Sequence, residues 1–359
     1  MNGAAHQSAS GGAARTVNLA LQGGGSHGAF TWGVLDALLE DGRVRFEGIS
    51  GTSAGAMNAV VLAHGLARAR ADGLRRPERN QAARKALGRF WDGAGLIGTF
   101  MSGLPMAPSG AQAMMNWWTQ WLSPAQANPL GINPLLRLLK NEVDFDLLAH
   151  ASTLASGIKV FVSATNIRTG RGDVFSGATL TADAVMASAC LPGLFQAVQI
   201  GDEHYWDGGY SGNPAIWPLI YGTRTSDVIL VQLNPIEAPY QAGASAQDIM
   251  NRVNEITFNA SLQAEMRAID FVRRLLAERR LDPDRYKNIL LHRVDGGAAL
   301  AQFGAASKVR ADMPFLKRLF TLGRHAGKTW LLRYYVDLGR RSSVQSVSSE
   351  ESFSDSSFP

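Results

Sequence analysis

Gly51-Thr52-Ser53-Ala54-Gly55 is the stretch on which the fold of this chain turns. It is a G-x-S-x-G pattern set between a predicted strand, Phe46-Glu47-Gly48-Ile49-Ser50, and a predicted helix from Ala54 to Leu66. A serine at such a junction must occupy a sharp turn with strained dihedrals, and small neighbours let strand and helix approach that closely. The turn lifts the hydroxyl above the sheet. The helix N-terminus behind it offers the Ala54 amide to a developing oxyanion. Ser53 is therefore the candidate nucleophile.

Upstream, Val17-Asn18-Leu19-Ala20-Leu21 reads as a first strand, ended by Gly23-Gly24-Gly25-Ser26-His27-Gly28. Ala29 to Leu39 follows as a helix with Val34, Leu35, Leu38 and Leu39 on one side. The glycine run satisfies G-x-G-x-x-G, so a dinucleotide site is one candidate. Such a site wants an acid closing the second strand, but that strand ends in Ser50-Gly51-Thr52-Ser53 and Glu47 lies too early. Two reactive-looking turns at adjacent strand ends fit better with one serving the other. Bare glycine amides cradle an anion, either a phosphate or the oxyanion of an acyl intermediate.

Further strands are expected at Ile158–Thr165, Val228–Leu233 and Ile289–His292, and a long helix after Ala246 carries Ile249, Val253, Ile256 and Ala260 at helical spacing. Strand and helix alternate. The fold class is therefore α/β, a three-layer mostly parallel sheet with helices on both faces and a helical C-terminal extension. Ligands in such sheets bind beyond the carboxyl ends of the strands, where both glycine-rich turns sit.

A serine nucleophile needs a base. Asp207-Gly208-Gly209 follows the short apolar run Tyr205-Trp206 and precedes a helix expected near Pro214. A carboxylate flanked by glycines can be pressed against a neighbouring turn. An alternative is a triad in the order Ser53, Asp207, His292, with His292 on a late strand. His6, His64, His150 and His204 lie in the lead-in, in helical stretches or beside Asp207, and serve less well.

Four segments in one order resemble the patatin-like phospholipase family: Gly23 to Gly28, the elbow Gly51 to Gly55, Ala187-Ser188-Ala189-Cys190-Leu191-Pro192 with Phe195, and Asp207-Gly208-Gly209. They cover residues 17–222. The resemblance implies a lipid acyl hydrolase in which Asp207 activates Ser53 directly, as a dyad. It also implies an oxyanion hole in the Gly23, Gly24 and Gly25 turn beside Ala54, with His27, Gly28, Gly51, Gly55, Gly208 and Gly209 as motif support. Many members carry Arg or Lys where this chain has His27, a side chain only partly charged near neutral pH. The expected substrate is a lipid ester, with no metal or organic cofactor. Storage-polyester depolymerase, thioesterase, and non-catalytic lipid-binding or nucleotide-binding modules are the alternatives.

Composition bounds the rest. The chain has 359 residues, 46% hydrophobic and 18% charged, which is too apolar for intrinsic disorder. Its one cysteine, Cys190, excludes an internal disulfide framework and any Cys-cluster metal site. No apolar run is long enough to span a bilayer. Residues 1–15 read as a disordered lead-in without signal-peptide character, 16–222 as the catalytic core, and 223–341 as remaining strands and C-terminal helices. Residues 342–359, with nine serines, read as a loose tail, and a cytoplasmic location is expected. Residues 91–140 read as a lid or insertion, with Met114, Trp117, Trp118 and Trp121 on one helix face, packed inward or meeting lipid. Residues 66–90 and 308–341 carry +6 and +7, more than the whole chain's +5. Solvated helix faces or transient attraction to an anionic membrane explain them; nucleic acid is not expected, since no recognition motif accompanies the charge. The oligomeric state has no signal in the sequence.

Overall fold

Val17 to Leu21 are buried without a break. A strand with one wet face would alternate, so an unbroken buried run belongs inside a parallel sheet covered on both sides. In the computed structural model, which describes residues 14–103, 133–192, 195–237 and 246–344, this strand lies near the middle of the sheet.

In chain order the elements are β1 (Arg15–Leu21), α1 (Gly28–Asp41), β2 (Val44–Gly51), α2 (Ala54–Ala71), α3 (Arg76–Gly103), α4 (Pro134–Glu142), α5 (Phe145–Thr153), β3 (Lys159–Asn166) and β4 (Gly172–Phe175). There follow α6 (Ala182–Ser188), β5 (Val198–Ile200), β6 (Glu203–Asp207), α7 (Trp217–Gly222), β7 (Asp227–Gln232), α8 (Ala246–Ala277), β8 (Leu290–Asp295), α9 (Gly297–Ala301) and α10 (Met313–Tyr334). The sheet order is β5-β6-β3-β2-β1-β7-β8, with β4 also paired to β3. Strands β3, β2, β1, β7 and β8 run parallel. The short β4, β5 and β6 are antiparallel and lay outside the expected strands, apart from the run Tyr205-Trp206.

Alternation along β1 and β7 divides the interior into two layers. Leu19, Leu21, Ile229 and Val231 point into the large core under α1, α2 and α10. Ala20, Val228 and Leu230 point the other way, against Ile216, Leu219, Leu262 and Met266 of α7, its approach and α8. The three-layer expectation holds. Helix α8 does not use the face read from its sequence: Ile249 and Ile256 are each 55% exposed and Val253 46%. Its buried stripe runs instead through Glu255, Asn259, Leu262, Met266 and Ile269, so that polar groups lie at the end nearest the Gly-rich turn and apolar ones farther along.

The two basic stretches are largely spent on internal acids. Arg84 on α3 reaches Asp36 at 2.7 Å and Glu40 at 3.0 Å on α1. Arg324 on α10 meets the same pair, and Lys328 adds a third cation to Glu40 at 3.0 Å. Lys317 pairs with Asp92 at 2.7 Å. Trp91 sits in the core rather than in a lid: it stacks beside Trp32, and its indole N–H donates to Asn58 Oδ1 at 3.0 Å. Met114, Trp117, Trp118 and Trp121 lie outside the described residues. Ser342 and Ser343, expected in the tail, lie along β8: Ser342 Oγ accepts from Leu291 N at 3.0 Å and Ser343 N donates to Leu291 O at 3.0 Å, while residues 345–359 lie outside the described residues. Arg15 belongs to β1 rather than to the lead-in. Among the described residues no helix is long and apolar enough to cross a membrane.

Helix α10 reaches α1 through facing glycines. A Cβ on Gly323 would collide with the Phe30 carbonyl, and one on Gly33 with the Phe320 carbonyl. Gly323→Val is expected to cost about 2 kcal/mol or more by overpacking, lowering the thermal midpoint by several degrees. Gly88→Ala on α3, where the nearest atom to the new methyl is 3.9 Å away, should instead raise it through helix propensity. Circular-dichroism melts of the two variants check both signs.

Candidate active site

Ser53 caps α2 with φ 55° and ψ −123°. Among the described residues only Arg279 shares a positive φ without being glycine. The strain is held from several sides. Gly55 N–H donates to Thr52 O at 2.8 Å and Met57 N–H to Ser53 O at 3.2 Å, closing the elbow into the helix. A Cβ on Gly55 would collide with the Leu21 carbonyl, so only glycine lets α2 start this close to β1. Ser53's own N–H donates to Ser188 Oγ at 2.9 Å.

Asp207 ends β6 and is 1% exposed, against 8% for Ser53. Its N–H donates to Cys190 O at 2.7 Å, and its Oδ1 accepts from Gly209 N at 2.7 Å. Among the described residues Oδ2 has no hydrogen bond of ordinary geometry, although the Ser53 hydroxyl lies close enough to pull the carboxyl pKa down. Burial outweighs both the Gly209 and the Ser53 contributions and pushes the pKa up to about 7.

The two side chains meet because their turns are sewn together. The Thr52 and Ser163 hydroxyls, 2.8 Å apart, both reach the Gly212 carbonyl, at 2.7 and 3.1 Å. Thr165 Oγ1 donates to Asp207 O at 2.8 Å. Gly208 lies so close to the Ser163 carbonyl that a Cβ would not fit, which is the close approach expected of a glycine-flanked carboxylate. The Ala187–Pro192 segment serves both partners, with Ser188 on the Ser53 amide and the Cys190 carbonyl on the Asp207 amide. Burial and the nearby Asp207 charge raise the Cys190 thiol pKa to about 11, so that side chain stays protonated.

The Gly-rich turn leans on the elbow: a Cβ on Gly23 would stand 2.8 Å from Ser53 Cβ. The Gly23 N–H is not free, since it donates to Asn213 Oδ1 at 2.6 Å. Among the described residues no acceptor meets the N–H groups of Gly24, Gly25 or Ala54. Gly25 adopts φ +56°, which a side chain rarely tolerates. Gly28 packs on Ala54 and Trp91, and Asn58 Nδ2 donates to both Gly28 O and Ala54 O, tying the two helix starts together.

His27 is buried and uncharged. Burial first, then the charge of Lys308, lower its pKa to about 4, and its Nε2 lies 2.7 Å from Ser307 Oγ. Partial charge at this position, expected from the sequence, does not survive the loss of water. His292 is not part of the constellation. It sits on β8 opposite Ile229, well below the strand ends that carry the two turns, and pairs with Asp227 at 2.9 Å and Ser343 at 3.2 Å. Glu47, weighed as a ribose ligand, accepts instead from Arg224 N at 2.9 Å and Thr225 N at 2.8 Å. Asn213 and Asn234 were absent from the sequence-based set. Single amides in irregular segments carry no periodicity, whereas Ser188 lay inside a motif already quoted.

Residues 19–220 match the family model described as Patatin-like phospholipase. Similar solved structures include VipD from Legionella pneumophila, at 15% identity and a TM-score of 0.36, covering 85% of this chain and 66% of that one. The heterodimeric ExoU–SpcU complex of Pseudomonas aeruginosa is similar at 14% identity and a TM-score of 0.29, covering 88% and 52%. The chain thus spans about two thirds and about half of the lengths of these neighbours. No curated protein sequence matches it.

The Asp207 environment generates a measurable stability effect. The folded carboxyl keeps its proton up to about 7, while the unfolded one releases it near its ordinary value of 3.8. The folded state therefore holds the extra proton, and stability falls as pH rises through that window. Asp207→Asn cannot ionise. Its thermal midpoint should exceed the wild type's at pH 8.5, with the gap shrinking toward pH 4.5. Equal gaps at both pH values in a calorimetric melt would contradict the buried-charge account.

Proposed function

This chain belongs to the patatin-like phospholipase family, and from that premise we propose that it is a serine acyl hydrolase of lipid esters in which Ser53 and Asp207 act as a dyad. Ser53 Oγ attacks the ester carbonyl carbon while Asp207 Oδ2 takes the hydroxyl proton. The carbonyl oxygen becomes an oxyanion, met by the N–H groups of Gly24, Gly25 and Ala54. Collapse of the tetrahedral intermediate breaks the ester C–O bond. The departing alcohol carries away the proton held by Asp207. Water then attacks the acyl-serine, again giving a proton to Asp207, and the carboxylic acid leaves as Ser53 recovers its proton.

The observation that carries this reading is the buried carboxyl oxygen without an ordinary partner, next to a serine held at positive φ. A carboxylate at its usual pKa is a weak base for a hydroxyl. One raised to about 7 is matched to neutral pH, where general-base efficiency is greatest. His27, neutral and bonded to Ser307, supports the turn without contributing charge. The proposal uses no metal or cofactor. Transient contact with an anionic membrane belongs to it, but draws less on the two basic stretches than composition implied, since so many of their cations face internal acids.

Ser53→Ala and Asp207→Asn should each lower hydrolysis of p-nitrophenyl butyrate, and fatty-acid release from phospholipid vesicles, by about a thousandfold or more. A fluorophosphonate should label wild type at Ser53 and leave Ser53→Ala unmodified. His292→Gln should keep near-normal turnover below its unfolding temperature. Retention of more than about a tenth of the activity in either dyad variant, or collapse in His292→Gln, would sink the dyad.

A further inference from the structure

The Gly-rich turn has a neighbour from far along the chain. The short turn Ala305–Val309 lies against it, with the Lys308 carbonyl in the space a Gly25 side chain would need. Lys308 Nζ donates to Asn234 Oδ1 at 2.7 Å and pairs with Glu255 Oε1 at 3.1 Å. Asn234 is buried, and its Nδ2 donates to the Gly23 carbonyl at 2.9 Å. The Asn234 backbone is fixed in turn, because its N–H donates to Gln22 Oε1 at 2.8 Å.

The Gly23 carbonyl and the Gly24 N–H belong to one peptide group. A donor on that oxygen draws electron density toward it and makes the N–H at the other end a stronger donor, and a cation at the head of the chain adds to the effect in a dry interior. We propose that Lys308 is a positioning residue for the oxyanion turn: acting through Asn234, its ammonium orients and polarises the Gly23–Gly24 peptide toward the charge that develops beside Ser53. This rests on the reading of Gly24 as an oxyanion donor, and extends it to a lysine outside residues 19–220. A cation beside the turn thus comes from position 308, and its charge helps keep His27 neutral. Burial draws the Lys308 pKa down; Glu255 opposes this through charge and a hydrogen bond, which holds the ammonium in place.

The test compares wild type, Lys308→Met, Lys308→Arg and the double variant Lys308→Met/Glu255→Gln, with Ser53→Ala as blank. Substrates are p-nitrophenyl butyrate for kcat and KM, and a fluorophosphonate for the rate of Ser53 labelling. The double variant removes both members of the Lys308–Glu255 pair, and Arg252, which also pairs with Glu255 at 3.2 Å, keeps its bond to the Ile236 carbonyl. Both Met-containing variants should lose about tenfold in kcat and in labelling rate with KM nearly unchanged, less than the loss of a direct oxyanion donor. Lys308→Arg should restore most of the loss. Near-wild-type kcat in the folded double variant, a defect confined to KM, or no rescue by Arg would each overturn the proposal. If wild type neither hydrolyses the ester nor takes label at Ser53, the acyl-hydrolase reading itself falls, and this inference with it.

Discussion

Everything at the carboxyl ends of the central strands depends on one costly arrangement, a carboxyl group kept dry with one oxygen left without an ordinary partner. The carboxyl cannot be lodged there by its own contacts, since among the described residues only Gly209 donates it a hydrogen bond of ordinary geometry. It is held by its backbone: the Cys190 carbonyl on its N–H, the Thr165 hydroxyl on its carbonyl, and the pairing of β6 with β3. The same economy applies to Ser53, whose dihedrals are imposed by Ser188, Thr52 and the start of α2. Main-chain anchoring leaves the reactive atoms unencumbered. It also explains why small residues crowd this corner, where any larger one would separate the two turns.

Much of this was legible in the chain. The first strand, the elbow and the helix behind it follow from an apolar run stopped by glycines, signals that are local and survive without tertiary context. The parallel core strands were equally plain, since Val228 to Val231 is apolar throughout. What escaped was non-local or short. The strand β5 spans three residues and β4 four, too few for any period to show. The face of α8 was misread because spacing identifies a stripe without saying which stripe meets the core, and here tertiary packing chose Leu262, Met266 and Ile269 over Ile249, Val253 and Ile256. The charge of His27 depended on burial and on Lys308, neither of which is written near residue 27.

A network of buried amide side chains stands behind Ser53 and Asp207. Gln22 Oε1 accepts from the N–H groups of Leu233 and Asn234 and its Nε2 donates to Asn259 Oδ1, so β1, β7 and α8 are joined at the level of the glycine turn. Asn213 takes the Gly23 N–H out of play, which leaves Gly24 and Gly25 as the turn's unpaired donors among the described residues. These side chains are buried, and each satisfied contact fixes the turn's orientation more firmly than packing alone would do. The polar scaffold that fixes this turn is thus drawn from residues far apart in the chain, from Gln22 through Asn213 and Asn234 to Asn259.

Strand β1 lies between β2 and β7, and the side chain of Asn18 binds that of Thr223, 205 positions later. On the ribosome, the first strand emerges long before its second neighbour exists. At ordinary translation speeds that interval is on the order of ten to forty seconds. During it, β1 presents a bare apolar edge to whatever else is in the cell, and the sheet cannot close. The topology therefore leaves an exposed strand edge until β7 is made, and any truncation before β7 keeps that edge open to pairing with other chains.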